Sequence, residues 1–323
     1  MKIAILGATG AVGRQMVECI EEQNIPCDEL KLLASARSVG VQIPFQGKNL
    51  TVEEACETSF EGMDIVLGAA SNALAKKFAP YIVKAGAVFI DNSSAFRMDP
   101  EVPLVVPEIN GEDAGNHKGI ISNPNCSTII ACMAIAAIDK QFHITNMIAS
   151  TYQAVSGAGK NGITELENQI ANTDMTPSVF PYQIAYNCIP CIGSPSTDDY
   201  TTEEMKMENE GRKILHNHMN VTCTCVRVPV MRSHSVSISL QTEIPVTVQQ
   251  ATQAIAAFPN VQIKDDLSIG CYPMPLDTSN QDDVFVGRIR KDRVLENGIS
   301  LFCCGDQIRK GAASNAVQII KCL

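Results

Sequence analysis

The chain has 323 residues, 45% hydrophobic and 19% charged, which is enough apolar material for two medium-sized domains and is not typical of a disordered chain. Its 25 basic and 35 acidic residues give a formal net charge of −10. That charge argues against nonspecific binding to nucleic acid or to an anionic membrane surface. The thirteen cysteines are an odd number, so they cannot all pair within one chain.

We expect neither a signal peptide nor a membrane span. The apolar run that follows Lys2 is short and ends at Gly7, and the apolar run 129–138 is shorter than a bilayer crossing. We therefore expect a cytoplasmic protein with no membrane partner. In that reducing compartment most cysteines behave as small buried apolar residues.

The first 125 residues alternate between strand and helix patterns. In the predicted helix 11–22, Val12, Met16 and Ile20 lie four residues apart on one face. Strands separated by helices are typical of parallel βαβ units, so we predict an α/β, Rossmann-like doubly wound sheet. The predicted strands are 2–6, 30–34, 64–70, 87–91, 104–106 and 119–122, and the second helix is 73–85.

The second part of the chain has longer strand patterns. Val236, Ile238 and Leu240 alternate with serines, as in a half-exposed antiparallel strand. We predict an α+β domain with a mixed, largely antiparallel sheet. Its strands are 147–155, 222–230, 235–243, 284–290 and 299–304, and its helices are 161–171, 247–257 and a charged, exposed helix 201–215.

The last segment, 307–323, has the pattern of a helix of small and apolar residues that packs back on the first domain. The predicted nucleotide-binding domain is therefore 1–126, completed by residues 306–323. The predicted catalytic and dimerisation domain is 127–305.

A glycine-rich segment lies between the first strand and the first helix: Gly7-Ala8-Thr9-Gly10-Ala11-Val12-Gly13. Gly7 permits a tight turn, Gly10 lets the backbone approach a pyrophosphate, and Gly13 allows close packing of helix on strand. The helix N-terminus adds unpaired N–H groups and a favourable dipole. An ordinary strand-to-helix turn is the alternative interpretation.

The residues after the second strand indicate which dinucleotide binds. NAD-binding folds usually have an acidic residue there, whereas this chain has Ser35-Ala36-Arg37-Ser38. An arginine between two hydroxyls suits a 2′-phosphate, through charge-assisted hydrogen bonds. We therefore predict NADP; an exposed loop arginine with no ligand is the alternative.

The block 123–128, Asn-Pro-Asn-Cys-Ser-Thr, places Cys126 where a helix begins. The positive end of a helix lowers the pKa of a thiol, and a thiolate can attack a carbonyl or an acyl phosphate. Taken alone, a buried inert cysteine is the commoner outcome. Of the five histidines, His234 is the best candidate base, because it ends a run dense in other functional candidates, 227–234.

Over essentially its whole length the chain resembles the aspartate-β-semialdehyde dehydrogenases. Several blocks in the same order carry the resemblance: the glycine loop, 94–98, 105–110, 123–128, 151–159, 227–234 and 305–313. It implies NADPH-dependent reductive dephosphorylation of β-aspartyl phosphate to aspartate semialdehyde, a step towards lysine, methionine and threonine.

The resemblance also implies roles for catalytic and substrate-binding residues. Cys126 would attack the acyl phosphate and expel phosphate, His234 would act as general acid and base, and Gln153 would orient the substrate. The substrate-binding residues would be Arg227 for the carboxylate, Glu210 for the amino group, and Arg97 with Lys213 for the phosphate.

The implied cofactor and oligomer follow in the same way. The family usually forms dimers through its second domain, sometimes paired into tetramers, so we expect a homodimer or homotetramer. The residues expected to bind NADP are Gly7, Thr9, Gly10, Ala11, Val12, Gly13, Ser35, Arg37, Ser38, Ser71, Asn92, Ser156, Gly157 and Asn315.

Three other functions are compatible with parts of the sequence. An N-acetyl-γ-glutamyl-phosphate reductase would be expected to carry Asn-Pro-Gly-Cys-Tyr, and Asn125 and Ser127 disfavour it. A catalytically inactive NADP-binding homologue would be expected to lack the cysteine or the histidine. A zinc site is the third, formed by Cys188, Cys191, Cys223 and Cys225; because the family requires no metal, we expect none.

Overall fold

The computed structural model describes residues 1–172 and 175–323. The strands are β1 Lys2–Leu6, β2 Glu29–Ala34, β3 Gln42–Phe45, β4 Lys48–Thr51, β5 Glu53–Glu54, β6 Ile65–Gly68, β7 Val88–Asp91, β8 Ile120–Ser122, β9 Ile144–Gln153, β10 Asn220–Arg227, β11 His234–Thr242, β12 Val261–Ile263, β13 Val284–Lys291 and β14 Gly298–Gly305. The α-helices are α1 Ala11–Glu22, α2 Asn72–Lys84, α3 Pro107–Asn110, α4 Cys126–Phe142, α5 Gly159–Ala171, α6 Thr202–Leu215, α7 Val248–Ala256, α8 Pro275–Thr278 and α9 Ser314–Ile319.

The chain forms two compact units. The first consists of Met1–Asn125 together with Ala312–Leu323, and the second of Cys126–Gly311.

The first unit is built on a parallel sheet of strand order β5-β2-β1-β6-β7-β8. Successive side chains of β1 point to opposite faces. Ile3 and Ile5 pack with α1 and α9, whereas Ala4 and Leu6 pack with α2. Helices thus cover both faces, which confirms the doubly wound prediction. The strand order reverses at β1 and β6, and ligands of such sheets bind beyond the carboxyl ends of the strands at this point.

The second unit is built on a mixed sheet of order β10-β9-β11-β14-β13-β12. The three central pairings are antiparallel and the two outer ones are parallel, which confirms the prediction of a mixed, largely antiparallel sheet. Helix α4 packs on this sheet and is in turn contacted by α6 and α7, so nearly its whole surface is buried. No helix in the described ranges has the length and apolar character to cross a membrane.

The predicted strand 104–106 is wrong. The structure has only a single bridge there, between Leu104 and Ser122. Proline has no N–H to donate to a ladder, and Pro103 and Pro107 bracket the segment. Pro107 moreover begins α3.

The predicted exposure of helix 201–215 is also wrong. One face of α6 is buried, at Glu204, Met207, Glu210, Gly211 and Ile214. The high charge of this segment suggested exposure, but an acidic side chain can be buried when its carboxylate accepts hydrogen bonds. The Glu204 carboxylate accepts hydrogen bonds from the N–H groups of Thr201, at 2.8 Å, and Cys225, at 3.0 Å.

The predicted terminal helix 307–323 is not continuous. A π-helical turn, Arg309–Ala313, precedes α9, and a 3-10 turn, Ile320–Cys322, follows it. Of this segment, residues 312–323 belong to the first unit.

Candidate active site

In the first unit, the glycine loop fits a dinucleotide pyrophosphate. Gly7 has φ +93°, and a Cβ added to it would lie 2.3 Å from the carbonyl oxygen of Ala69. A Cβ on Gly13 would lie 2.2 Å from the oxygen of Gly7, so α1 packs directly against the loop. Gly10 occupies the N-cap of α1 and has no side chain there. The N–H groups of the first turn are therefore not covered by a capping side chain and can serve an anion.

The turn proposed to bind the 2′-phosphate lies beside this loop. It is the short helix Ala36–Ser38 that follows β2. The hydroxyl of Thr9 donates to that of Ser38 across 3.3 Å, which ties the glycine loop to the turn. Ser35 and Arg37 are exposed to solvent, so the guanidinium can reach a ligand.

Ser71 and Asn92 follow the neighbouring strands β6 and β7. Ser71 is the N-cap of α2. The carboxamide of Asn92 accepts a 2.8 Å hydrogen bond from Asn123 Nδ2, and the buried Asn315 donates from Nδ2 to Asn123 Oδ1 at 2.7 Å. Asn92 and Asn315 therefore belong to one amide network near the carboxyl ends of the strands.

Arg97, predicted to hold a phosphate, is held by the backbone of the first unit. Its Nε donates to the carbonyl of Asn123 at 3.0 Å, and Nη2 donates to the carbonyl of Asn92 at 2.7 Å. The side chain is buried. These bonds fix the orientation of the guanidinium.

In the second unit, Cys126 is the first residue of α4. The thiol therefore lies at the positive end of a helix of 17 residues, where the helix dipole favours negative charge. Gly311 packs on it so closely that an added Cβ would lie 2.9 Å from Cys126 Cβ. This contact permits no side chain at position 311 without displacement of the cysteine.

Arg227 ends β10 and is paired in register with Gln153 of β9. Its Nη1 donates to the carbonyl of Ala154 at 2.6 Å, and its guanidinium lies 5.7 Å from the ring centroid of Phe180. Burial lowers the pKa of Arg227, and the negative charge of a Cys126 thiolate is the first opposing cause. The guanidinium is thus a buried cation near enough to Cys126 to interact with the charge of a thiolate there.

His234 begins β11 and is fully buried. Its Nδ1 accepts the backbone N–H of Ala154 at 3.0 Å, which places the proton of the neutral ring on Nε2. Among the described residues, none hydrogen-bonds to Nε2. Burial, and secondly the charge of Arg227, lower the pKa of His234 to about 3. The ring is therefore neutral at physiological pH and offers an N–H donor.

Ser156 and Gly157, predicted to contact the cofactor, lie beside these groups. A Cβ on Gly157 would be 2.9 Å from Arg227 Nη1 and 3.3 Å from His234 Nε2. The Ser156 hydroxyl accepts a hydrogen bond from Gln307 Nε2. Oε1 of the same carboxamide accepts the backbone N–H of Ser233 at 2.8 Å.

Glu203 is not among the residues predicted for the site, yet it contacts one of them. Gln153 is buried and donates from Nε2 to Glu203 Oε1 at 3.2 Å, and Glu203 in turn pairs with Lys206 at 2.8 Å. Glu203 also acts electrostatically on Arg227 and His234. The structure thus brings Glu203 and Lys206 to Gln153, on the first turns of α6.

Glu210 and Lys213, the predicted pair, lie two turns further along α6. Glu210 is buried, and its charge raises the pKa of Cys132, after burial itself. Because Cys132 lies in α4, this effect places Glu210 near that helix. The roles predicted for Glu210 and Lys213 remain predictions.

The four cysteines weighed as zinc ligands divide into two groups. Cys223 and Cys225 are buried on one face of β10 with their sulfurs 3.8 Å apart, whereas Cys188 and Cys191 are exposed. In the described ranges, no group of three or more cysteine, histidine or acidic side chains could hold a metal ion.

A dinucleotide loop in one unit and a cysteine with histidine and arginine in the other are features of semialdehyde dehydrogenases. Two family models of that class match the chain. Residues 2–117 match the semialdehyde dehydrogenase NAD binding domain, and residues 135–310 match the semialdehyde dehydrogenase dimerisation domain.

Relatives identify the particular family. Aspartate-semialdehyde dehydrogenases of Synechocystis and Aquifex aeolicus are 47% and 48% identical, over 100% of this chain and 97% of each relative. The crystal structure of aspartate semialdehyde dehydrogenase II from Vibrio cholerae, complexed with ASA, is 40% identical and superposes with a TM-score of 0.96. That match covers 100% of this chain and 97% of the other. The chain belongs to the aspartate-semialdehyde dehydrogenase family, as predicted.

The buried, neutral His234 predicts an acid-sensitive stability. Below about pH 6.5 the imidazole of the unfolded chain becomes protonated, whereas that of the folded chain stays neutral down to about pH 3. In this range His234 therefore lowers the free energy of unfolding by about 1.4 kcal/mol for each unit that the pH falls. As the pH falls from 7 to 5, we expect the wild type to lose about 2 kcal/mol more of its unfolding free energy than His234→Gln loses. Urea unfolding at both pH values measures it.

The exposed His218 provides the matched control. His218→Gln should change the pH dependence little, because the side chain is exposed to solvent. An equal response of both variants would show that His234 is not held neutral.

Proposed function

We propose that this chain catalyses the reversible, NADPH-dependent reductive dephosphorylation of L-β-aspartyl phosphate to L-aspartate 4-semialdehyde. Family membership supports the reaction. The single observation that supports its mechanism is the position of Cys126 at the N-terminus of α4, in the same unit as the buried cation of Arg227.

In this proposal the first unit binds NADP(H) and the second carries the thiol and forms the oligomer. The glycine loop and the turn with Arg37 fit a dinucleotide with a 2′-phosphate. When bound, the cofactor supplies or accepts the hydride. The domain boundaries proposed from the sequence, 1–126 with 306–323 and 127–305, follow the same division of labour.

The covalent steps proposed for Cys126 need the acyl phosphate and one hydride, which NADPH would supply when bound. Its thiolate adds to the acyl carbon of β-aspartyl phosphate, the S–C bond forms, and the C–O bond to phosphate breaks with its electron pair leaving on phosphate. After reduction of the resulting thioester, the C–S bond of the thiohemiacetal breaks. The aldehyde then leaves and the thiolate is restored.

His234 would contribute at the carbonyl oxygen. Its neutral ring offers the Nε2 proton to an oxygen that gains negative charge when sulfur or hydride adds to the carbon. A general acid and base role also uses this nitrogen and remains our prediction from the resemblance. Gln153 would orient the same intermediate, because Glu203 and Thr151 fix both ends of its carboxamide.

For substrate recognition, we assign the carboxylate to Arg227, whose planar guanidinium suits a bidentate pair. Glu210 would accept the substrate amino group, and Lys213 with Arg97 would bind the phosphate, as the resemblance implies. Glu203 and Lys206 are the alternative pair, because the Glu203 carboxylate accepts a hydrogen bond from Gln153 and pairs with Lys206.

A homodimer is the proposed oligomer, with a homotetramer as a pair of dimers. The second unit matches a dimerisation domain, and the face of its sheet away from α4 carries Ile148 and Tyr152, 47% and 40% exposed. Tyr152 packs on Phe302 of this face, with ring centroids 6.1 Å apart. We also propose a cytoplasmic location, because none of the thirteen cysteines, all within the described ranges, forms a disulfide.

A phosphate-dependent assay tests the function. With L-aspartate semialdehyde, phosphate and NADP we expect NADPH to form, and Cys126→Ala to lower its rate on the order of a thousandfold or more. Alanine keeps the Cβ that contacts Gly311, so NADP binding by titration calorimetry should stay unchanged. Turnover of N-acetylglutamate semialdehyde alone, or activity retained without the thiol, would refute the assignment.

The two acidic residues of α6 give a direct comparison. We expect Glu210→Gln to raise the KM for aspartate semialdehyde about 10- to 100-fold, because it removes the charge proposed to hold the substrate amino group. Glu203→Gln should leave that KM near wild type. Steady-state kinetics decide, and the reverse pattern would transfer the role to Glu203, whose carboxylate contacts Gln153.

The cofactor preference depends on Arg37. We expect Arg37→Ala to raise the KM for NADP about 10- to 100-fold while the KM for NAD changes little, because only NADP carries the 2′-phosphate. Lys84→Ala, an exposed cation on α2, controls for net charge. Equal losses with NADP and NAD would contradict the assignment of the turn.

A further inference from the structure

The segment 178–189 forms one wall beside Arg227. The ring of Phe180 lies 5.7 Å from the Arg227 guanidinium. Further along, Ile189 and Arg227 exchange backbone hydrogen bonds of 2.9 and 2.8 Å. The position and plane of the guanidinium therefore depend on where this segment lies.

Glu165 of α5 holds the start of the segment. Its Oε2 accepts the N–H groups of Ser178, at 2.8 Å, and Val179, at 2.6 Å, together with the Ser178 hydroxyl at 2.8 Å. Its Oε1 accepts the N–H of Phe180 at 3.3 Å. One carboxylate thus receives four donors from three consecutive residues of a segment without helix or strand.

Gln169, one turn later in α5, holds the middle of the segment. Its Oε1 accepts the N–H groups of Ile184 and Ala185 at 2.8 and 3.0 Å, and its Nε2 donates to Glu165 Oε1 at 3.3 Å. Both side chains are buried. Apolar packing beneath the segment is modest, a cluster of Val155, Leu166, Phe180, Ile184, Ala185 and Ile189.

The carboxylate form of Glu165 suits this task. Burial opposes its ionisation, but the donors at Ser178, Val179 and Phe180 outweigh burial and lower the pKa of Glu165. An ionised carboxylate accepts at both oxygens, whereas a carboxamide presents an NH₂ group to one set of backbone donors. Replacement of Glu165 by glutamine would therefore place the NH₂ group of the side chain against backbone N–H groups of the segment, and two donors cannot form a hydrogen bond.

We propose that Glu165, assisted by Gln169, is a positioning residue for Arg227: it fixes segment 178–189 so that Phe180 and Ile189 hold the guanidinium in the orientation that receives the substrate carboxylate. The proposal rests on the proposed function in one respect, the assignment of the carboxylate to Arg227. Glu165 does not itself contact the reacting atoms. Its effect is on recognition rather than on the chemistry of Cys126.

Kinetics of Glu165→Gln test the proposal. We expect the KM for aspartate semialdehyde to rise about tenfold, with kcat within about threefold of wild type and with the KM values for NADP and phosphate unchanged. The matched control is Glu167→Gln, an exposed acid on the same helix, which should match wild type. A merely structural role would lower kcat and disturb all three KM values together.

A second readout is independent of activity. Phenylglyoxal modifies accessible arginines, and peptide mapping reports the rate at Arg227, which is 8% exposed. We expect Arg227 to react several-fold faster in Glu165→Gln than in Glu167→Gln, at a temperature where both are folded by circular dichroism. Phe180→Leu keeps an apolar side chain but removes the ring, and it should raise the same KM about tenfold.

These measurements distinguish a positioning role of Glu165 from a general structural role. Equal kinetics and equal Arg227 protection in Glu165→Gln and Glu167→Gln would overturn the proposal, as would a parallel change in every kinetic constant. If Glu165→Gln does not fold, Phe180→Leu decides by the same criteria. If the wild type does not turn over aspartate semialdehyde, the proposed function fails, while the phenylglyoxal comparison still tests whether Glu165 positions Arg227.

Discussion

The buried guanidinium of Arg227 is the constraint on which the second unit's site depends. A cation removed from water must be compensated by acceptors, by charge or by an aromatic face. Here the carbonyl of Ala154 and the ring of Phe180 supply two of these. The same positive charge lowers the pKa of His234. The carbonyl of Ala154 binds the arginine and its N–H binds the histidine, so one peptide segment sets both the position of the cation and the tautomer of the ring.

The sequence predicted the first unit well because its signals are local. Strand 2–6 and helix 11–22 were predicted with the bounds that the structure shows, since a short apolar run, a glycine loop and a 3.6-residue periodicity follow one another there. The strand predicted at 104–106 is reduced to a single bridge, because the prolines on either side have no N–H group to donate to a neighbouring strand. The apolar character of the segment did not reveal this. The broken terminal helix has no comparable signal: its residues are compatible with a continuous helix, and tertiary packing determines where it turns.

A site residue is easiest to predict where it lies inside a distinctive sequence block, and hardest where a pattern repeats. Cys126, Gln153, Arg227 and His234 lie in such blocks and all belong to the second unit, and their roles remain predictions. Helix α6, in contrast, contains Glu-x-x-Lys twice, at residues 203–206 and 210–213. Seven residues are two helical turns, so both pairs lie on one side of the helix. Their spacing alone therefore does not distinguish the two pairs; in the structure Glu203 contacts Gln153, and Glu210 acts on Cys132.

The division of the chain has a consequence for biosynthesis. The core of the first unit includes Ala316, Val317 and Ile319, which are translated after the whole of the second unit. The second unit is a single contiguous stretch, and domains generally fold as units during synthesis. A nascent chain can therefore complete the later unit while the face of the earlier sheet that carries Ile3 and Ile5 is covered by α1 but not yet by α9. Incompletely covered apolar surface is prone to aggregation, so the last helix to be made is also the one that closes the first core.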